Sequence, residues 1–212
     1  MMPLLTCYSK YDRGVFAVSI PINERRLYGN WRNGSALDLH TVMSNPRPDG
    51  GFDTQRTPLG ELLYQLKYYA DQSRIEPLSD VIAAFIRSRR VFPRLFAIIP
   101  VPPSDLRRSF QPVERLAIRV GEKTGLPCPL GYLVKTRETE ALKTLEDPIR
   151  RRAQLEGAFE VKSAILSGKS VVLFDDIYRS GETLRAITEV LHSQGKIADV
   201  YVLTVTKTRT KR

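Results

Sequence analysis

The sequence predicts an α/β protein, with a central, mostly parallel sheet flanked by helices and a small β-rich layer at its N-terminal end. Three observations point there. LFAIIPV (95–101) and VVLF (171–174) are short, uninterrupted apolar runs, the pattern of strands buried on both faces. Segments with helical spacing alternate with such runs over most of the chain, which is the order of a parallel sheet with crossover helices. The first fifty residues instead read as strands and turns.

Taken in order, GVFAVSI (14–20) and ALDLHTV (36–42) are expected strands, with a turn at Asn33-Gly34 between them. SNPRPDGGFDTQRT (44–57), dense in Pro, Gly, Asp and Asn, is an expected loop. The expected division is therefore a β-rich hood with its loop over residues 1–56 and a core over 57–212. Thr57-Pro58 offers an N-cap with Pro at the first helical position, and Leu59, Leu62, Leu63 and Leu66 carry the helical spacing to about Ala70. A second helix should start near Pro77 and run towards Arg90, with Leu78, Val81, Ile82, Phe85 and Ile86 on one face. After the strand at 95–101, Pro112 opens a third helix that Gly125 ends. Beyond VVLF, Leu184, Ile187, Val190 and Leu191 mark a fourth helix stopped by Gly195, and VYVLTVT (200–206) is a further strand.

The chain has 212 residues, 42% hydrophobic and 26% charged, which suits one globular domain of ordinary size. No apolar run approaches the roughly 18 residues needed to span a bilayer, and MMPLLTCYSKYDRG at the start lacks the sustained apolar stretch of a secretory signal. A soluble, cytoplasmic protein without a membrane partner is expected. Cys7 and Cys128 are the only cysteines and form no Cys-x-x-Cys pair, so a zinc set and a disulfide framework both lack material. The formal net charge of +10 has two readings. The groups at Arg87, Arg89 and Arg90, at Arg150, Arg151 and Arg152, and from Lys207 to Arg212 are either solvated faces or contacts to phosphate-rich ligands, nucleic acid included.

The segment that carries chemistry is VVLFDDIYRSGET (171–183). In open α/β sheets ligands bind beyond the carboxyl ends of the strands, and residues 175–183 join such an end to the fourth helix. Unpaired N–H groups and the positive dipole end of that helix favour an anion. Gly181 allows close backbone approach, Ser180 and Thr183 supply hydroxyls and Arg179 adds charge, which together make a phosphate cradle. Asp175 and Asp176 would repel a phosphate, so their partner should donate: sugar hydroxyls or a hydrated divalent cation. A ribose 5-phosphate meets both demands. The competing reading, the metal-binding aspartate that accompanies a Walker A loop, fails because no G-x-x-x-x-G-K-[ST] occurs; GEKTG (121–125) does not match.

VVLFDDIYRSGET resembles the thirteen-residue phosphoribosyl pyrophosphate (PRPP) motif of the type I phosphoribosyltransferases. The likeness widens to their ComF-like (competence protein F-like) branch in LKY (66–68), in IPVPPSDLRRSFQPVERLA (99–117) and in the arginine-rich run before GAF (157–159), covering roughly residues 57–206. What this resemblance implies is the type I phosphoribosyltransferase fold and a pentosyl-transferring glycosyltransferase of nucleotide metabolism. Such an enzyme binds PRPP with Mg²⁺ and moves the phosphoribosyl group to a nitrogen acceptor with release of pyrophosphate. By matched position, Asp175 and Asp176 would hold the ribose hydroxyls and the metal, and Arg179, Ser180, Gly181, Glu182 and Thr183 would surround the 5-phosphate.

The same resemblance places Val101, Pro102, Pro103 and Ser104 in the pyrophosphate loop; as bare sequence, PVPPS reads equally as a rigid turn. KTRETEALKTLEDPIRRR (135–152) corresponds to the loop that closes over PRPP, or is a solvated charged hairpin. In the first case Lys135, Arg137, Lys143 and Arg151 are candidates to meet the leaving diphosphate, Lys143 and Arg151 as catalytic groups. A homodimer is the family habit.

The chain departs from the family in three places. Members of the ComF branch often carry an N-terminal four-cysteine zinc element, and the cysteines to build one are lacking here, where only Cys7 and Cys128 occur. Purine-salvage relatives have an aspartate where Arg179 stands, and arginine cannot act as that acid or base. Glu182 beside a phosphate requires a side chain that points away. Tyr28 and Trp31 in the expected hood are read as core packing ahead of base stacking, and His40 as structural. Two further readings stay beside the enzyme: a PRPP- or nucleotide-sensing protein associated with nucleic acid, without turnover, and a degenerate member that supports an assembly.

Overall fold

The computed structural model describes residues 20–105, 109–137 and 154–209. The architecture is α/β, as expected. Five strands form the main sheet in the order β1-β2-β9-β8-β5: β1 (Arg25–Arg26), β2 (Asn33–Leu39), β5 (Leu95–Pro100), β8 (Ser170–Tyr178) and β9 (Asp199–Lys207). β2, β9, β8 and β5 are mutually parallel and only β1 is antiparallel, so four carboxyl ends share one edge. Alternate residues of these strands face two apolar cores, which explains the unbroken apolar runs. Ile98, Val172, Phe174 and Leu203 meet helices α1 (Pro58–Tyr68), α2 (Ile75–Arg87) and α3 (Pro112–Thr124). Ile99, Val171, Leu173 and Val202 meet α4 (Glu182–Ser193) and the residues around the antiparallel pair β6 (Leu133–Lys135) and β7 (Phe159–Val161).

The helices follow their sequence signals closely. Thr57 caps α1, its hydroxyl oxygen accepting from Gly60 N–H at 3.0 Å, with Pro58 at N1. Gly125 ends α3 in the left-handed region, where its N–H reaches the Gly121 carbonyl. α2 begins at Ile75 rather than near Pro77, because a single 3₁₀ turn over Gln72–Arg74 leads directly into it.

The N-terminal expectations need correction. Asn33-Gly34 is not a turn but the start of β2, paired with Tyr201 and Val202. Gly34 is glycine for packing: a Cβ there would lie 2.4 Å from the Trp31 indole nitrogen. Segment 44–57 is not a loop. It belongs largely to a second antiparallel hairpin, β3 (Thr41–Pro46) with β4 (Phe52–Arg56), whose Pro- and Gly-rich residues make the turn, closed by Arg47 N–H to Gly51 O at 2.8 Å. β1 and β2 belong to the main sheet, so within the expected hood segment it is the β3–β4 hairpin that forms a sheet of its own, growing from the carboxyl edge. GVFAVSI lies outside the described residues except for Ile20, which packs on the core. Among the described residues no helix is long and apolar enough to cross a membrane.

Candidate active site

β8 does not stop before the aspartates. The ladder to β9 continues through Asp175, opposite Thr204, to Tyr178, opposite Lys207, so both carboxylates stand on hydrogen-bonded strand at the carboxyl edge. Arg179 and Ser180 are exposed beyond it, and Gly181 takes φ +81° as the N-cap of α4. The chain therefore turns sharply from strand to helix, and the first N–H groups of α4 lie directly after the exposed hydroxyl of Ser180. Glu182, the first residue of α4, has Arg185 4.0 Å from its carboxylate, one helical turn on, which directs its charge along the helix.

Asp176 is 7% exposed and faces α1, where the Lys67 ammonium donates to its Oδ2. Its own N–H donates to Oδ1 of Asp175 at 2.8 Å. Burial drives the Asp175 carboxyl up to about 7, and the neighbouring Asp176 charge pushes the same way. His40 leaves the end of β2 at this edge, its Nδ1 3.2 Å from the Thr206 hydroxyl. Burial, then the Arg56 charge, lowers its imidazole to about 4; Asp176 opposes while Lys67 and Arg179 add to the lowering. The ring is thus neutral at neutral pH. Arg56 itself stacks on Tyr64, with its guanidinium carbon 3.4 Å from the ring centroid.

At the end of β5, Val101 N–H donates to Phe174 O at 2.8 Å, which carries the 101–104 stretch alongside the aspartates. That bond and the two prolines narrow the stretch's donors: Val101 N–H is committed, Pro102 and Pro103 have none, and exposed Ser104 is the first residue with both an N–H and a hydroxyl. A pocket of about 200 Å³ brings Pro102, Pro103 and Glu114 together with Lys135. Arg137 donates through Nη2 to the carbonyls of Gln154 and Glu156 at 3.1 and 2.8 Å. Lys143 and Arg151 lie outside the described residues. A larger pocket, about 480 Å³ with Asn33, Arg89 and Tyr201 in its wall, opens at the opposite edge of the sheet, away from these groups.

The structure thus gathers Asp175, Asp176, Arg179, Ser180, Gly181, Glu182 and Thr183 on one strand-to-helix turn and sets 101–104 beside it. It adds Lys67, His40 and Arg56, none of which the sequence reading counted as site residues. LKY (66–68) carries the family likeness alone, and the sequence signal for Lys67 is its place on α1 beside Leu63 and Leu66, which bury the face that meets the sheet. Trp31 is core, donating to Leu27 O at 3.1 Å, whereas Tyr28 is 69% exposed.

A divalent cation held by the protein alone does not fit these residues. Among the described residues no third His, Cys, Asp or Glu joins the acidic pair, and an ammonium already sits on Asp176. The same oxygens are well suited to accept from sugar hydroxyls.

A parallel sheet with an acidic pair and a glycine-turned helix entry at its carboxyl edge defines an α/β protein of the sugar- and phosphate-binding kind. The phosphoribosyl transferase domain family model matches residues 101–210, just over half of the chain, and the protein belongs to that family. No curated protein matches it. Among solved structures the chain is similar to glutamine PRPP amidotransferase from B. subtilis, with 18% identity, 76% of this chain and 35% of that chain covered and a TM-score of 0.46. It is also similar to orotate phosphoribosyltransferase from Aeropyrum pernix, with 17% identity, coverage of 79% and 76% and a TM-score of 0.44. For phosphoribosylpyrophosphate synthetase from Mycobacterium smegmatis the identity is 15%, coverage 60% and 33%, and the TM-score 0.40. The chain spans about a third of the length of that synthetase and of the amidotransferase.

Proposed function

We propose that the protein is a PRPP-dependent phosphoribosyltransferase of the ComF-like branch, in which an amine or ring nitrogen displaces pyrophosphate at C1 of ribose. The observation that carries this reading is the pairing, on one turn, of an acidic pair with a glycine-led helix N-terminus. Asp175 and Asp176 accept from the 2- and 3-hydroxyls, and the residues from Arg179 to Thr183 take the 5-phosphate at the start of α4. Mg²⁺ enters with PRPP as part of the substrate and neutralises its diphosphate. As the C1–O bond lengthens, its electron pair goes to the departing diphosphate, positive charge develops on the ribose, and Ser104 and Lys135 steady the leaving group. Loss of one such donor should cost on the order of a hundredfold in rate. The acceptor approaches from the side of the β3–β4 hairpin, where Val42, Met43 and Phe52 are exposed, and meets the neutral ring of His40.

Calorimetric titration of PRPP with Mg²⁺ into the wild type and the Asp175→Ala, Asp176→Ala double variant tests the reading. Binding by the wild type that the variant loses supports it and opens a screen of acceptors for pyrophosphate release. A well-folded wild type that binds no PRPP refutes it. The net charge of +10 supports a second reading, a PRPP- or nucleotide-sensing protein on nucleic acid. That reading predicts PRPP binding without turnover across acceptors, and nucleic-acid affinity that falls steeply with salt.

A further inference from the structure

Lys67 occupies the acidic pair in a way the ribose reading does not require. Its ammonium donates to Oδ2 of Asp176, with the two side chains only 24% and 10% exposed. On the other carboxylate, Oδ1 of Asp175 already accepts from Asp176 N–H. One oxygen of each aspartate is therefore engaged by a nitrogen before any ligand arrives.

The lysine is placed by the helix that carries it. The Thr57 hydroxyl donates to Leu39 O at 2.6 Å and accepts from Gly60 N–H, tying the first turn of α1 to the end of β2. Leu63 and Leu66 are fully buried on the sheet side of the next turns. Lys67 thus reaches Asp176 from a helix held at both its start and its face, unlike an exposed ion pair on two flexible stems. Arg56 and Arg179 also act at this edge, Arg56 paired with Glu61 at 3.4 Å, and buried Asp38 stands at the end of β2.

We infer that Lys67 is the resident counter-cation of the ribose-binding carboxylates, so that this pair accepts ribose hydroxyls without a protein-held metal and magnesium enters only on the diphosphate. The inference rests on the ribose-phosphate reading of the site. Lys67 relieves the repulsion between the two aspartates and leaves each an oxygen to accept a hydroxyl hydrogen. It is a positioning residue, acting through Asp176.

Ribose 5-phosphate, which lacks the diphosphate, separates the two roles of charge. Titrated into the full-length wild type, it should bind with the same affinity in magnesium and in EDTA, while PRPP should bind more tightly with magnesium. Mn²⁺ alone, followed by its electron paramagnetic resonance signal, should remain free. Lys67→Met should weaken ribose 5-phosphate binding in EDTA by about tenfold or more, the usual cost of losing a charged partner, and should let Mn²⁺ bind. Lys67→Arg should keep chelator-insensitive binding. Ribose 5-phosphate binding that needs magnesium in the wild type, or Mn²⁺ captured by the wild type alone, overturns the inference and leaves the ribose site standing. Unchanged affinity in a folded Lys67→Met overturns it as well. No ribose 5-phosphate binding under any condition overturns the ribose reading and this inference together. Should Lys67→Met fail to fold, the wild-type comparison decides alone.

Discussion

The phenol of Tyr178 fills the space that a side chain on Gly181 would need: a Cβ there would stand 2.6 Å from the Tyr178 hydroxyl and 2.7 Å from its Cε2. Gly181 also holds φ +81°, so the turn from β8 into α4 depends on glycine twice over. The ring could swing aside, but the backbone strain of about 1–3 kcal/mol would persist. Gly181→Ala should weaken ribose 5-phosphate binding at least about tenfold while the protein stays folded, as calorimetry alongside a thermal melt would read. Full affinity in that variant would mean that the turn does not carry the phosphate.

Asp175 and His40 titrate in opposite senses. Asp175, raised from 3.8 to about 7, keeps a proton in the fold that the unfolded chain has released, so over that window its contribution to stability is lost as pH rises. His40, lowered from 6.5 to about 4, refuses a proton that the unfolded chain takes up, so its contribution is lost as pH falls from 6.5 towards 4. The two slopes, each at most about 1.4 kcal/mol per pH unit, offset one another in the wild type. Relative to wild type, Asp175→Asn should therefore gain stability as pH rises from about 4.5 to 6.5, and His40→Asn should lose it. Urea midpoints across that range check both signs, and parallel profiles for the two variants would contradict them.

Gly60 sits under the His40 carbonyl, where a Cβ would come within 2.1 Å of the oxygen. Alanine gains about 1 kcal/mol of helix propensity over glycine in α1, but the obstruction is backbone and cannot rotate away. Gly60→Ala should destabilise by about 1–3 kcal/mol net and loosen the Lys67 contact with Asp176. Chemical denaturation measures the first effect; a stabilised variant would show that helix and strand do not approach so closely.

Thr57 serves the same junction from the other side, capping α1 and donating to Leu39 O. Thr57→Val should lose both bonds and cost about 1–2 kcal/mol, and Thr57→Ser should restore most of it. Equal stability of the two variants would sink the capping account.

Much of the site was legible because its parts are contiguous. The acidic pair, the hydroxyls, Gly181 and the helix start fall within VVLFDDIYRSGET, and each residue type has a local backbone reason to be there. Thr57-Pro58 and Gly125 marked helix ends for the same cause. Where local composition misled, strand pairing and side-chain packing had prevailed. Residues 44–57 look like a loop by their Pro and Gly content, yet Thr41 pairs with Arg56 and Asn45 with Asp53. Asn33-Gly34 looks like a turn, yet its glycine makes room for the Trp31 ring. β8 runs past its apolar residues because Thr204 and Thr206 of β9 continue the ladder beside it.

The sequence by itself determined the sheet class, the capped start of α1, the glycine end of α3 and the identity of the strand-to-helix turn, all of which follow from short-range periodicity and backbone chemistry. Only the tertiary structure decided what surrounds the carboxylates. Lys67 meets Asp176 across 109 residues, and His40 reaches Thr206 across 166, through the packing of α1 on the sheet and the parallel pairing of β2 with β9. Charge compensation and burial are set by distances in space, and no local pattern in the chain encodes them.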